Sequence, residues 1–166
     1  MAADVFAATV QLKTSVRQTL GTTSTPAGSS PKITHGTWDF SHALGAATTP
    51  PLSKHAAFQQ ALDGGAATIE LTALPGFNSA TVDGSGLKVQ AFKARNPSTN
   101  ANSIALTFGA ANPYLLAGVA WKVILEPGME VLIYGNDKTP DIAAGAKNID
   151  LAGTGVQALD VEILMG

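Results

Sequence analysis

The sequence predicts an all-β chain: an antiparallel β-sandwich or jelly roll of about nine strands, with at most one short helix. Three observations predict it. Apolar residues recur at every second position in segment after segment, the period of a half-buried strand. Turn signals of Gly, Pro, Asp and Asn separate these segments, at the spacing of all-β domains. The intervals leave no room for the crossover helices of roughly a dozen residues or more that a parallel sheet needs.

The elements follow in order. Phe6, Ala8, Val10 and Leu12 alternate with Ala7, Thr9, Gln11 and Lys13 and make a first strand. Residues 21–31, Gly-Thr-Thr-Ser-Thr-Pro-Ala-Gly-Ser-Ser-Pro, are small and polar. They bury too little to offset ordering entropy, so a flexible low-complexity loop or arm is expected there. Thr34, Gly36, Trp38 and Phe40 share one face of the next strand. Residues 43–53 break the pattern, because Pro50-Pro51 suits neither a helix nor a central strand. Lys54 to Leu62 reads as helix or strand alike, and Asp63-Gly64-Gly65 stops it.

From there the alternation is clean. Ile69, Leu71 and Ala73 precede a turn at Pro75-Gly76, and Leu87, Val89 and Ala91 follow Asp83-Gly84-Ser85-Gly86. Ile104, Leu106 and Phe108 follow Asn96-Pro97-Ser98-Thr99-Asn100. Val119, Trp121, Val123 and Leu125 lead into Glu126-Pro127-Gly128, with Pro and Gly where a type II turn wants them. Met129 to Tyr134 is apolar on both faces except for Glu130, which predicts a strand covered on both sides. Ile149-Asp150-Leu151 is short, and the last strand sets Leu159, Val161, Ile163 and Met165 against Asp160 and Glu162. No internal repeat or boundary divides residues 1–166, so a single domain is expected.

Composition narrows the function. The 166 residues include no cysteine, which excludes a disulfide scaffold, a Cys-ligated metal and thiol catalysis. A net charge of −2 argues against nucleic-acid binding, which calls for a basic patch. Apolar runs such as residues 131–134 fall far short of the ~20 needed to span a bilayer, so no membrane partner is expected. The opening Met-Ala-Ala-Asp lacks the basic and apolar regions of a signal peptide, so export by that route is not expected. Only 13% of residues are charged, against roughly 25% in ordinary soluble domains. Such a surface is either rich in Thr, Ser, Asn and Ala or buried against other chains, and assembly is the expectation.

Catalytic patterns do not emerge. Gly28-Ser29-Ser30-Pro31-Lys32 fails the nucleophile-elbow pattern at its last position. His35, His42 and His55 fall within one stretch but lack the spacing of a zinc site. Gly153-Thr154-Gly155-Val156-Gln157-Ala158 matches a dinucleotide fingerprint in letters only, since a strand pattern and not a helix follows it. Asp137, Asp141 and Asp150 do not follow the regular calcium-loop spacing and read as turn residues. Lys93 and Arg95 share a strand face that Lys88 does not, so they form no continuous basic patch. No catalytic, cofactor-binding or metal residue is assigned. Pro113, Tyr114, Leu115 and Leu116 bring an aromatic ring and leucines into a loop, either as a contact site or as a loop folded back over the core.

Residues 67–166 carry a resemblance. The segments Thr68-Ile69-Glu70-Leu71, Leu87 to Phe92, Asn96 to Asn100, Trp121 to Leu132 and Ala158 to Gly166 are similar, in their rhythm of strands and turns, to small β-sandwich structural proteins of tailed bacteriophages. Those proteins decorate capsids or build tail components. The resemblance implies a non-enzymatic virion protein, assembled in the host cytoplasm without a cofactor. It also implies a capsid decoration (cement) role, with copies of itself (a trimer favoured) and the major capsid protein as partners. A tail or fibre-associated module is the alternative. A carbohydrate-binding or adhesion domain is a further one, with Trp38, Trp121, Tyr114 and Tyr134 as sugar platforms.

Overall fold

A computed structural model describes residues 6–19, 32–34, 36, 38–76 and 79–166. The strands are β1 (Ala7–Thr14), β2 (Arg17–Thr19), β3 (Lys32–Thr34), β4 (Trp38–Gly45), β5 (Lys54–Leu62), β6 (Ala66–Glu70), β7 (Leu74–Pro75) and β8 (Thr81–Val82). They continue with β9 (Val89–Arg95), β10 (Ile104–Phe108), β11 (Lys122–Leu125), β12 (Glu130–Tyr134), β13 (Asn148–Ala152) and β14 (Gln157–Met165). Every strand pairing is antiparallel, and no α-helix occurs among the described residues. One four-stranded sheet runs β11-β10-β13-β6 and the other β12-β9-β14-β5, with two-stranded ribbons β1-β4, β2-β3 and β7-β8.

The all-β expectation therefore stands, while the count of nine is too low. Lys54–Leu62 is a strand, not a helix, because its alternate residues Ala56, Phe58 and Gln60 sit opposite Ile163, Val161 and Leu159 of β14. The segment expected as one strand through Thr34 and Phe40 is divided between β3 and β4. Strand β4 also runs to Gly45, past the expected break at residue 43. The expected arm at 21–31 lies outside the described residues.

The core takes the inward face of both large sheets. Val131, Ala94, Val161 and Phe58 form one row across the first, and Ile133, Phe92, Ile163 and Ala56 the next. Val123, Leu106, Leu151 and Ala67 form a row across the second. All of these belong to one cluster. Burying them supplies the main driving force, at about 25 cal/mol per Å² of apolar surface.

Two strands depart from their predicted surroundings. β12 was expected to be covered on both sides, but it is an edge strand. Val131 and Ile133 reach the core, whereas Leu132 is 36% exposed. The strand buried on both faces is β9, from Val89 to Phe92. Val119, expected in a strand, lies exposed before β11 begins.

Turn chemistry sets the hairpins. Gly64 and Gly65 (φ 62° and 86°) make the mirror-image turn that matches the twist of β5 and β6. Gly65 also lies against the 153–155 turn: a Cβ there would sit 2.7 Å from the Gly153 carbonyl oxygen, whereas one on Gly64 meets nothing within 4 Å. Gly65→Ala is therefore expected to cost about 2–3 kcal/mol, through backbone strain and a clash together. Gly64→Ala should cost about 1 kcal/mol, through strain alone. Urea unfolding of the two variants checks this, and equal losses would remove the role given to the Gly153 contact. Glu126-Pro127-Gly128-Met129 is the expected type II turn, with Gly128 at φ 88° and the Met129 N–H bonded to the Glu126 carbonyl at 2.9 Å.

Candidate functional site

The prominent surface feature is the β1–β4 ribbon, which lies over the outward face of the β12-β9-β14-β5 sheet. Opposed residues of an antiparallel pair share a face. The register thus defines three outward rows on that sheet: Tyr134, Ala91, Leu164 and His55; Leu132, Lys93, Glu162 and Ala57; and Glu130, Arg95, Asp160 and Gln59. The first row is mainly apolar, the second sets Lys93 and Glu162 between Leu132 and Ala57, and the third is mainly charged.

The ribbon is rooted on the apolar row. Val10, Leu44 and Leu52 bury against Ala91 and Leu164, with Phe6, Ala8 and Tyr134 packed around them. The His42 ring stacks on Tyr134, centroids 4.1 Å apart and planes within 10°. The chain leaving β4 is held as well. The Leu52 N–H bonds the Gly45 carbonyl at 3.0 Å, and Gln90 Nε2 donates to the Pro50 carbonyl at 2.7 Å. Asn136 Nδ2 donates to the Thr49 carbonyl at 3.2 Å.

Beyond this root the ribbon carries its apolar face into solvent. Leu12 stands two residues after buried Val10 on the same face, and it is 61% exposed. Over the charged rows the ribbon and the sheet enclose a groove of about 330 Å³. Leu12 and Leu132 line it together with Lys93, Glu130 and Glu162. Lys93 Nζ lies 3.9 Å from Glu130, and His55 Nε2 lies 3.3 Å from Glu162. Past Thr14 the same two chain segments pair again as β2 and β3, from Arg17 opposite Thr34 to Thr19 opposite Lys32.

The loop singled out in the sequence folds back over the core. Tyr114 is fully buried and Leu116 nearly so, while Pro113 and Leu115 are half-buried. The Tyr114 hydroxyl donates to the Pro140 carbonyl at 2.8 Å and accepts the Val89 N–H at 3.2 Å. A contact role for Tyr114 and Leu116 is thereby corrected, since their apolar area is already covered within the chain. The exposed large apolar residues among those described are instead Leu12, Val16, Phe40, Val119, Ile124, Met129, Leu132 and Val156. Alternation could not reveal them, because an apolar residue in a strand looks the same whether or not a second layer covers it.

The remaining candidates are engaged separately. Asp137 is bonded to Lys138, which holds its carboxyl below the usual range. Asp141 pairs with Lys88 at 2.8 Å. Asp150 accepts bonds from Thr68 Oγ1 and the Ala110 N–H. Glu70 is held low by Lys147 and then by Thr72, and Asp83 by Ser85. His42 and His55 have the separate partners given above, and His35 lies outside the described residues. No group of three or more His, Asp or Glu suited to a metal occurs among the described residues. No helix there is long and apolar enough to cross a membrane.

No protein-family model, curated protein or solved structure matches the chain.

Proposed function

We propose that the chain is a non-enzymatic structural protein of a bacteriophage virion. Within that class we read it as a capsid decoration protein, stabilising the shell through contacts with the major capsid protein and with copies of itself. The observation that carries this reading is the ribbon, which is rooted in the body but keeps an apolar face exposed beyond its root at Leu12. A surface with 13% charged residues suits close packing of many copies, because it limits mutual repulsion. We read the two four-stranded sheets as the layers of a β-sandwich, since their inward faces share one core.

The sugar-binding alternative has less to stand on. Tyr114 is buried, Tyr134 lies against His42, and the half-buried Trp121 donates its indole N–H to the Tyr114 carbonyl at 3.1 Å. A tail or fibre-associated module would use the same surface with different neighbours.

The test is the native mass of the purified chain by light scattering over a concentration series, together with sedimentation against undecorated capsid shells of the encoding phage. A discrete oligomer, a trimer in the favoured case, that pellets with the shells is the expected outcome. A monomer at every concentration that stays in the supernatant would remove the proposal. An oligomer that pellets with tails and not with shells would select the tail module.

A further inference from the structure

The chain joins an aspartate to a following glycine twice, at Asp63-Gly64 and Asp83-Gly84, and it contains no Asn-Gly pair. This dipeptide has a chemistry of its own. Glycine carries no side chain beside its amide nitrogen, so that nitrogen can reach the carboxyl carbon of the preceding aspartate and close a five-membered ring. Three features of a fold govern the approach: the space beside the nitrogen, the engagement of its N–H, and the engagement of the carboxyl group.

The two pairs differ in all three. Asp63 and Gly64 are exposed in the turn between β5 and β6. Nothing lies within 4 Å of the point where a Cβ on Gly64 would stand. Among the described residues, neither the Gly64 N–H nor the Asp63 carboxyl has a hydrogen-bond partner. The bond that closes the turn, from the Ala66 N–H to the Asp63 carbonyl, is 3.3 Å long.

Asp83-Gly84 is locked by comparison. Gly84 is buried, and a Cβ there would stand 2.7 Å from both the Leu71 carbonyl oxygen and Met165 Sδ. Its N–H donates to the Leu71 carbonyl at 3.1 Å. Asp83 Oδ1 accepts the Ser85 N–H at 2.8 Å and the Ser85 hydroxyl at 2.6 Å. Those bonds hold the Asp83 carboxyl below its usual range, which depletes the protonated form that could lose its hydroxyl.

We propose that Asp63 is a site of spontaneous backbone isomerisation, converted to isoaspartate through a cyclic imide with Gly64, and that the fold withholds Asp83 from the same reaction. The Gly64 nitrogen bonds to Asp63 Cγ, and the carboxyl hydroxyl leaves with the amide proton as water. The nitrogen is then bonded to both carbonyl carbons of the ring. Water adds back and breaks one of these bonds. Breaking the bond to Cγ restores aspartate. Breaking the bond to the main-chain carbonyl carbon leaves the chain running through Cβ and Cγ, with the former main-chain carbonyl as a free carboxylate. The water released is taken up again, and no oxidant or cofactor enters.

The product carries one extra carbon in the backbone of a tight turn. Loop length and turn type fix how two strands leave a turn. Here β5 and β6 belong to different sheets, and Gly65, the next residue, accepts the Gly153 N–H at 2.7 Å. The added atom therefore loosens the corner where the sheets meet. This site stands apart from the virion reading and does not depend on it.

The test holds the full chain in neutral buffer at body temperature and samples it over weeks. Each sample is digested with a protease that cuts before aspartate but not before isoaspartate, and the fragments are read by mass spectrometry. The cut before Asp63 should be lost progressively while the cut before Asp83 persists. Asp83-Gly84 must first give up bonds at both its nitrogen and its carboxyl, so its rate is expected to be roughly tenfold lower or less. In concentrated urea, where the fold is absent, the two rates should converge. The aged parent should also develop a fraction with a lower urea midpoint. Asp63→Glu, whose ring would be one atom larger, should age without it. Equal rates at the two sites in the folded chain would overturn the proposal. So would an Asp63 that reacts in urea and not in the folded chain, because the turn would then protect it. An isomerised chain whose urea midpoint is unchanged would overturn the loosening of the corner.

Discussion

Replacing Tyr114 by Ala is expected to remove about 4–5 kcal/mol of folding free energy. Tyr114 is the largest fully buried side chain among the described residues, and it belongs to the cluster that both sheets share. Truncation leaves a cavity where a ring stood, and it strips a partner from both the Pro140 carbonyl and the Val89 N–H. The loss is a large part of the ~5–15 kcal/mol that a domain of ordinary stability has. Tyr114→Phe separates the two causes. It keeps the ring and loses only the hydroxyl, so about 1–2 kcal/mol is expected. Urea unfolding gives both values, and an Ala variant within 1 kcal/mol of the parent would remove Tyr114 from the core.

The same phenol sets a pH dependence. Burial pushes the Tyr114 hydroxyl above its ordinary value of 10.0, so the folded state keeps a proton that the unfolded state loses. Above that ordinary value the unfolded chain binds fewer protons, and stability falls as pH rises until the folded value is passed. Below it the contribution is fully present. Between pH 8 and 11.5 the parent's urea midpoint should therefore drop more steeply than that of Tyr114→Phe. Parallel curves would show that the hydroxyl titrates no differently in the two states.

Asn96→Ala is expected to cost about 3 kcal/mol. The side chain is buried, and its Nδ2 donates to the carbonyls of Leu125 (2.8 Å) and Asn102 (3.1 Å). Its Oδ1 accepts from Asn100 Nδ2 at 2.6 Å, and Asn100 in turn bonds the Ala158 carbonyl at 2.7 Å. One amide thus ties the end of β9 to the end of β11, the 100–102 loop and the start of β14. Ala leaves the buried Leu125 carbonyl without that donor, while the Asn102 carbonyl keeps its bond from Gln157 Nε2 at 2.8 Å. Asp should be at least as damaging, since it offers a carboxylate where protons are required. Urea unfolding measures the loss, and hydrogen exchange at Gly128 and Met129 should quicken as the β11–β12 turn loosens. A loss under 0.5 kcal/mol with unchanged exchange would show that the backbone bonds hold this corner unaided.

Much of the architecture is legible in the residues. The alternation of Leu159, Val161, Ile163 and Met165 predicts an inward face, and all four are buried. Pro127-Gly128 predicts its turn because only a residue tolerant of positive φ fits the third position. The letters of Lys54–Leu62 suit a helix as well as a strand, because Ala and Gln fit both, and only pairing with β14 settles it. Met129 to Tyr134 misleads for a related reason. Its apolar residues at 131 and 133 serve the core and those at 132 and 134 face the ribbon, so one string of letters meets two environments.

The interaction surface was the least legible part. Aromatic and leucine residues are uncommon in loops, so the Pro113–Leu116 pattern allows a contact site, yet Tyr114 is an interior residue whose hydroxyl both donates and accepts. In the sequence Leu12 is an ordinary inward strand residue, continuous with Phe6, Ala8 and Val10. Its exposure depends on how closely the opposing sheet approaches the ribbon, since a groove separates the two at Leu12, and no local pattern encodes that gap.

What the chain alone determines is therefore local: an all-β composition, the period-two faces, the positive-φ turns, and the lack of cysteine chemistry. Those follow from backbone sterics and from each residue's own side chain. The tertiary structure decides which strands lie at edges, which apolar faces a second layer covers, and where the ribbon stands clear of the body. Burial is a relation between distant segments, set when Val10 meets Leu164 or Tyr114 meets Val89, and it exists only once the chain has brought them together.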